Sequence, residues 1–431
     1  MDIIEKIKTK KATCAVIGMG YVGLPLAVEF ALAGFKVIAI DLQRWKVDAI
    51  NKGKSYIDDV ESSLLKSIIA DGRLSATTDY HALKRVDTIN ICVPTPLRKT
   101  KEPDISYIVY ATEKIAKYLS KGQLVILEST TYPGTTEEVM LPIFEKSGLK
   151  AGTDFWLAFS PERVDPSNKK YTTKNIPKVV GGITKKCTKI ATLFYEQSVD
   201  AVIPVESTRV AEAVKLLENT FRSVNIGLVN EIALMCHKMG INVWEVIDAA
   251  ATKPFGFMKF YPGPGLGGHC IPIDPQYLSW KARMFGFEAR FIDLAAEINR
   301  SMPEHVVGRI IDILNDREKS LKKAKILILG VAYKKDVSDY RESPALEIIE
   351  QLIKKGADVF YSDPHVPEIE FNSLCFKNTK LSAALLRKTD CAVIVTDHSL
   401  FDYSFIIENS PLIFDTRNAL KNISDKKIVK L

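Results

Sequence analysis

The segment YPGPGLGGHCIPIDP, residues 261–275, gathers residues that can do chemistry. It holds four glycines and four prolines, a density that no helix or regular strand tolerates, so it reads as a loop. Near its centre Cys270 stands beside His269 and four residues before Asp274. A thiol with a possible base or cation on one side and a carboxylate nearby can become a thiolate nucleophile. An inert cysteine buried in a tight turn would look the same, so the rest of the chain must decide.

A second set lies upstream. Glu212, Lys215, Asn219, Arg222 and Asn230–Glu231 form a polar set, and Lys215 and Asn219, four apart, share a helical face. An ammonium beside an amide can hold an oxyanion or order a water. A solvated polar stripe is the plain alternative. The stretch Arg209–Met239 that carries them has no proline and one glycine, Gly227. Apolar residues recur at Val210, Val214, Leu217, Phe221, Val224, Leu228 and Ile232. The spacing predicts a helix of about thirty residues, against an average of about twelve, of the kind that joins domains or forms dimer interfaces.

The N-terminal part offers a ligand site. Thr13–Gly18 reads as a buried strand and runs into Gly18-Met19-Gly20-Tyr21-Val22-Gly23, a G-x-G-x-x-G. Helical spacing follows to Gly34, then the strand Lys36–Ile40 and Asp41, 18 residues past the last glycine. A lone glycine triplet is weak, but strand, glycines, helix, strand and acid make the full dinucleotide fingerprint. The glycines admit a pyrophosphate to free N–H groups at the helix start. Asp41 suits ribose hydroxyls and repels a 2′-phosphate, which favours NAD over NADP. Arg44 is the residue that could offset that repulsion. Further strands at Asp87–Val93, Leu124–Glu128 and Phe155–Ser160 end at Pro94-Thr95-Pro96, Ser129-Thr130-Thr131 and Pro161-Glu162-Arg163, on the edge where parallel sheets bind ligands. Thr95 and Thr130 could meet the cofactor or merely cap turns. Glu162 could face the same edge or form an exposed ion pair.

After the cysteine loop, helices are expected at Asp274–Phe285, Glu288–Arg300 and Pro303–Asn315. The last third repeats the α/β pattern from the strand Lys325–Gly330, through the helix Pro344–Lys355 and the strand Val359–Ser362, to Asp390–Thr396 and Leu412–Asp415. No glycine triplet follows Gly330. The loop there is basic, with Lys334, Lys335 and Arg341, and suits a phosphate-bearing ligand.

The totals agree with a multidomain globular chain. It has 431 residues, 46% apolar and 26% charged, too long for one core. The net charge of +7 is spread out, with no basic block carrying aromatics, so nucleic acid is not indicated. Seven cysteines without C-x-x-C spacing argue against a disulfide framework or a structural zinc. No signal pattern or membrane-length apolar run is present, so no membrane association is expected and the cytoplasm is the expected compartment. Domains are expected at 1–204, 205–302 and 303–431: α/β, two Rossmann-like doubly wound domains joined by a long central helix and helical region.

Together these motifs resemble the UDP-glucose and GDP-mannose dehydrogenase family. The segments are GMGYVG with Asp41, PTP from Pro94, ESTTYPGT from Glu128, SPER from Ser160, KLLENTFR from Lys215, GLGGHCIP from Gly265 and KKDVSDYRES from Lys334. The resemblance implies an NAD domain, a central region with a dimer-forming helix, and a C-terminal UDP-sugar domain. It implies oxidation of a sugar C6 alcohol to a carboxylate with two NAD per sugar. An aldehyde must gain a nucleophile before it can give up a second hydride, which is why a thiolate is needed. By that match Cys270 is the nucleophile, Lys215 steadies the oxyanions, Asn219 and Asp274 hold or activate a water, Glu162 assists thioester hydrolysis and Thr130 positions water. Gly18, Gly20, Tyr21, Val22, Gly23, Asp41, Thr95, Thr130 and Arg341 would hold the cofactor, Arg341 across a subunit boundary. Glu162, Arg163, Lys215, Asn219, Tyr261, Gly265, Gly267 and Lys334 would hold the UDP-sugar. A homodimer or higher homo-oligomer is implied.

This chain departs from the family pattern in having Ile273 where many members carry lysine, and His269 where many carry a small residue. The loop and the preceding KPFGFMKF are similar to the branch acting on UDP-N-acetylhexosamines, first of all UDP-N-acetylglucosamine, with UDP-N-acetylmannosamine and UDP-glucose as alternatives. A two-electron β-hydroxyacid dehydrogenase needs neither the cysteine nor a third domain. A non-catalytic nucleotide-sugar sensor would not need Cys270, Lys215 and Asp274.

Overall fold

The computed structural model describes residues 1–57, 59–98, 102–164, 168, 170–268 and 270–431. They form two compact units, residues 1–218 with 276–287, and residues 219–275 with 288–431.

The first unit is built on eight strands: β1 (Thr13–Ile17), β2 (Lys36–Ile40), β3 (Leu74–Thr77), β4 (Thr88–Ile91), β5 (Leu124–Leu127), β6 (Trp156–Phe159), β7 (Lys178–Gly182) and β8 (Val202–Val205). Their order is β3-β2-β1-β4-β5-β6-β7-β8. Every pairing is parallel except β6 with β7, where Phe159 faces Gly181. The strands are short apolar runs because helices cover both faces. Alternate residues of β1 serve opposite cores: Cys14 and Val16 join one apolar cluster, Ala15 and Ile17 the other. The chain reverses direction across the sheet between β1 and β4, the place where doubly wound sheets bind dinucleotides.

The second unit holds β9 (Lys325–Leu329), β10 (Asp358–Ser362), β11 (Glu368–Phe371), β12 (Leu374–Lys377), β13 (Cys391–Ile394), β14 (Ile413–Asp415) and β15 (Ile428–Lys430). Five of them form a parallel sheet in the order β10-β9-β13-β14-β15, and β11 and β12 pair as a hairpin. Ile326 and Ile328 bury on one face of β9, Leu327 and Leu329 on the other. The expected class, two doubly wound sheets and a long central helix, is what the chain forms.

That helix spans Thr208–Met239, 32 residues. Its buried side mixes apolar, small and polar residues: Ala211, Glu212, Leu216, Ser223, Val229, Asn230, Ala233 and Cys236. Gly227 is needed because an added Cβ would come 3.0 Å from Ala295 Cβ of the crossing helix Arg290–Asn315. Of the apolar residues that predicted the helix, Val214, Val224 and Ile232 are partly buried. Val210, Leu217, Phe221 and Leu228 are exposed, with Met235 and Met239 continuing the row. The two helices expected on either side of Pro303 are a single helix of 26 residues, Arg290–Asn315, with Pro303 inside it. Proline removes one N–H and one intrahelical bond, a local loss that the packing of Met302, Pro303, Val306 and Val307 outweighs. Among the described residues no helix is long and apolar enough to cross a membrane.

Candidate active site

The glycine turn after β1 is shaped by close approach. Gly18 has φ +93°, and a Cβ there would lie 2.4 Å from the carbonyl oxygen of Cys92 at the end of β4. A Cβ on Gly23 would lie 1.9 Å from the oxygen of Gly18. Gly20 differs: nothing stands within 4 Å of where its Cβ would be. Gly18 and Gly23 therefore fold the turn, while Gly20 leaves an open cradle at the start of the helix Gly23–Leu32. Val22, at the helix cap, gives no side-chain hydrogen bond to the first turn, so those N–H groups have no side-chain cap. Tyr21 is exposed beside it. Asp41, 8% exposed, accepts from Met19 N at 2.7 Å and Gln43 N at 2.8 Å, with Lys46 Nζ at 3.4 Å. It braces the turn as well as facing a ribose position. Arg44 pairs with Asp48 at 3.1 Å. The cradle fits a dinucleotide pyrophosphate.

The loops after β4 and β5 are fixed within the same unit. The Thr95 carbonyl accepts from Tyr277 OH, and Pro96 O lies 3.2 Å from the same hydroxyl. Thr130 is half-buried beside Thr131, whose Oγ1 lies 2.7 Å from Thr135 Oγ1. Glu212 reaches this loop from the long helix, accepting from Gly134 N at 2.5 Å, Thr136 N at 2.9 Å and Thr136 Oγ1 at 2.7 Å. Burial pushes its carboxyl up to about 7 despite those donors. The residue read as part of a polar stripe thus anchors the threonine loop one helical turn before Lys215, which is half-buried.

Glu162 follows β6 and is held on both oxygens. Oε1 accepts from Arg163 N at 2.8 Å and Val164 N at 2.9 Å, and Oε2 from Lys178 Nζ at 3.0 Å. Burial raises its pKa, but the Lys178 charge and these donors outweigh burial and hold it below the usual carboxylate range. Lys178 also reaches Glu128 Oε2 at 2.6 Å. The Arg163 guanidinium is spent on Glu218 and on Pro177 O at 2.7 Å.

The cysteine loop belongs to the second unit and is moulded onto its α/β domain. A Cβ on Gly263 would lie 2.6 Å from Arg417 Nη1, and one on Gly267 2.9 Å from both Tyr333 Cβ and Pro344 Cδ. Gly268 has φ +83°, and its Cβ would lie 2.8 Å from Tyr333 Cε2. Gly265, at φ +129°, lies against the Asn299 carbonyl. The loop's glycines are where backbone meets side chain with no room between. Cys270 at the end of this stretch is exposed, and its carbonyl accepts from Asp274 N at 2.8 Å. Asp274 is buried and accepts from Asn219 Nδ2. Tyr261 hydrogen-bonds Asp248. His269 lies outside the described residues.

Tyr333, under Gly267 and Gly268, immediately precedes Lys334, so the cysteine loop and the basic loop after β9 are neighbours. The basic loop is held by its own bracket. His398 Nδ1 accepts from Asp336 N at 2.9 Å, and Nε2 gives its hydrogen to Asp363 Oδ2 at 2.9 Å. Asp336, His365 and His398 offer ligand atoms within 4.8 Å of one another, but both ring nitrogens of His398 are already bonded. Asp363 accepts from Val331 N and Ala332 N, so the acid after β10 closes this turn where Asp41 braces the other. Arg341 lies on Asp339, with Nε at 2.9 Å and Nη2 at 2.7 Å.

Of the residues singled out in the sequence, the first unit holds Gly18, Gly20, Tyr21, Val22, Gly23, Asp41, Thr95, Thr130, Glu162, Arg163 and Lys215. The second holds Asn219, Tyr261, Gly265, Gly267, Cys270, Asp274, Lys334 and Arg341. Sequence reasoning missed Lys178, Arg417 and the bracket at His398. Arg417 follows β14 and donates from Nε to Val395 O at 2.8 Å, at the edge of the sheet where β9 and β13 part. None of the three lies in a motif, because their partners are remote in the chain.

Comparison with known proteins covers nearly the whole chain. Residues 12–199 match the NAD-binding domain of the UDP-glucose/GDP-mannose dehydrogenase family, 209–301 its central domain and 327–422 its UDP-binding domain. UDP-N-acetyl-D-glucosamine 6-dehydrogenase of Pseudomonas aeruginosa is 36% identical over 83% of this chain and 84% of its own. UDP-N-acetyl-D-mannosamine dehydrogenase of Pyrococcus horikoshii is 36% identical over 94% of this chain and 96% of its own. The solved structure of the P. horikoshii UDP-D-ManNAc dehydrogenase superposes with TM-score 0.89 at 34% identity, covering 97% of this chain and 98% of that one. An open glycine cradle with its acid, a second parallel sheet with a basic loop, and domain matches over both and the helices between carry one conclusion. This chain belongs to the UDP-glucose/GDP-mannose dehydrogenase family, the NAD-dependent dehydrogenases of nucleotide sugars.

Proposed function

We propose that this chain oxidises the C6 alcohol of UDP-N-acetylglucosamine to the carboxylate through a covalent intermediate on Cys270. The observation that carries the reading is the exposed thiol at the end of a glycine loop moulded onto the UDP-binding domain beside Lys334. The Gly18–Gly23 turn and Asp41 would hold NAD, which would supply the hydride acceptor for each of the two oxidations. The Cys270 thiolate adds to the C6 aldehyde to give a thiohemiacetal, whose oxidation leaves a thioester. Lys215 steadies the negative oxygen of each tetrahedral state. Asn219 and Asp274, joined by a hydrogen bond, orient the water, and Glu162 takes its proton. Lys334 binds the diphosphate, and Tyr261, Gly265 and Gly267 line the sugar.

The C2 epimer, UDP-N-acetylmannosamine, is the second reading, favoured because the P. horikoshii relative bears that substrate in its name. A panel of UDP-N-acetylglucosamine, UDP-N-acetylmannosamine and UDP-glucose, followed at the NADH absorbance, separates the readings by kcat/KM. Two NADH per sugar are expected. One NADH per sugar would mean a two-electron enzyme, and none a sensor. Cys270→Ser should bind the UDP-sugar and NAD yet form no acid, and acid formation at the wild-type rate would remove the covalent route.

The active form we propose is a homodimer. Leu217, Phe221, Leu228, Met235 and Met239 are exposed on the long helix and fall within an arc of about 40° at 100° per residue. That row is unfavourable in water and suits a second copy of itself. Cys14, Cys92, Cys187, Cys236 and Cys391 are buried thiols, which suits the reducing cytoplasm.

A further inference from the structure

We propose that Lys178 is a positioning residue for thioester hydrolysis, holding Glu162 as the carboxylate that takes a proton from the attacking water. This rests on the role given to Glu162 above.

The fold puts Lys178 there by reversing one strand. β7 runs antiparallel to β6 with Phe159 opposite Gly181. Continuing that register outward by three residues sets Lys178 opposite Glu162. The lysine that opens β7 thereby stands at the edge where β4, β5 and β6 end. Its side chain is 3% exposed, with Nζ 2.6 Å from Glu128 Oε2 and 3.0 Å from Glu162 Oε2. Glu128 is already satisfied without Glu162, since Oε1 takes hydrogen bonds from Asn90 Nδ2 at 2.9 Å and from Tyr195 OH.

A structural ion pair would match one ammonium with one carboxylate. Here two carboxylates share one buried cation, and a surplus buried charge is costly. Such an excess at a sheet edge, where ligands bind, marks a functional group. Among the described residues the titratable groups facing Glu162 are Lys178 from β7, Glu128 after β5 and the Cys92 thiol after β4, while Tyr195 faces Glu128. The Arg163 side chain is turned to Glu218. Among the described residues Lys178 is the cation hydrogen-bonded to Glu162 Oε2, a bond that uses one of the two lone pairs of that oxygen. In the step itself, water oxygen bonds to the thioester carbon as Glu162 takes one water proton. The C–S bond then breaks with its electron pair going to sulfur, and the carboxylic acid loses its proton to solvent. Without Lys178, burial, which raises the Glu162 carboxyl, loses the charge that chiefly opposes it, so less of Glu162 is the carboxylate that takes a proton from water.

The test uses the full enzyme with NAD and UDP-N-acetylglucosamine, or whichever panel sugar turns over fastest. NADH is read in single and multiple turnovers, and the intact chain mass reports the acyl-enzyme. For Lys178→Gln we expect kcat about 10²-fold lower, accumulated acyl-enzyme and an acid limb of the pH–kcat profile moved to higher pH. Lys178→Arg should restore most of the rate. Glu128→Gln removes the competing charge and should move the acid limb to lower pH. A structural role alone predicts no such opposite shifts. If Glu162→Gln stalls as acyl-enzyme while Lys178→Gln keeps the wild-type rate and limb, the role of Lys178 fails and that of Glu162 stands. If Glu162→Gln releases acid at the wild-type rate, both fail. Should Lys178→Gln not fold, the Glu128→Gln limb decides: a downward shift supports the proposal and an unmoved one overturns it.

Discussion

Gly268→Ala tests whether the cysteine loop is held by shape. Gly268 has φ +83°, a left-handed backbone that costs a residue with a side chain about 1–2 kcal/mol. Its Cβ would sit 2.8 Å from Tyr333 Cε2, so the ring or the loop must shift, and overpacking of this kind costs about 1–3 kcal/mol. The native loop position would therefore rise by about 2–5 kcal/mol in the variant. The loop escapes much of that by lifting off Tyr333, and Cys270, two residues on, must move with it. A misplacement of about 1 Å at reacting groups is worth about 10²-fold in rate. We expect kcat/KM about 10²-fold lower, with the urea midpoint falling by less than the full strain. Adding Tyr333→Ala removes the clash but not the backbone strain. The double variant should then be more stable than the two single effects add up to, by about 1–3 kcal/mol. Wild-type kcat/KM in Gly268→Ala, or strict additivity with Tyr333→Ala, would refute the reasoning.

Two further outcomes follow from burial and exposure. Glu212 is pushed from 4.5 to about 7 by burial, so the folded chain binds its proton more tightly than the unfolded chain does. A carboxyl shifted in this direction costs nothing below pH 4.5, costs more as pH rises to about 7, and costs a constant amount above. Relative to Glu212→Gln, wild-type stability should fall by roughly 3 kcal/mol across that window, read as urea midpoints at each pH. A difference that rises with pH would contradict it. Leu228→Glu, in the exposed apolar row of the long helix, should halve the sedimenting mass toward the 48.1 kDa of one chain, and an unchanged dimer would place the interface elsewhere.

What the sequence disclosed was whatever is dictated locally. Lys36–Ile40 was legible to the residue because an apolar run between Gly34 and Asp41 has few other fates. The glycine turn was legible because Gly18 and Gly23 answer steric demands within one βαβ unit. Lys178 was not, since it reads as a stray charge before Val179 and Val180, with partners 50 and 16 residues away. β8 was missed because Val202–Val205 contains a proline and buries little. The long helix was found through its apolar residues, but periodicity does not say which apolar face is core. Here the row at Val210, Leu217 and Leu228 is exposed, while Ala211, Leu216, Ser223, Gly227, Val229 and Asn230 are buried.

Pro303 shows how a breaker can mislead and still carry function. Read alone it divides two helices, yet the helix runs through it. Having no N–H, it leaves the Asn299 carbonyl without its usual helical donor. That carbonyl faces Gly265, at φ +129°, where a Cβ would come within 3.2 Å of it. The Asn299 side chain meanwhile takes a hydrogen bond from Asn230 at 2.9 Å and gives one to Ser223 O at 3.1 Å, and Asn230 Oδ1 accepts from Gly263 N at 2.9 Å. The gap in the helix ladder and the buried asparagine pair thus define one seat, and the start of the cysteine loop lies in it. The proline and the glycines, punctuation when read separately, are two sides of one contact that fixes where the loop carrying Cys270 begins.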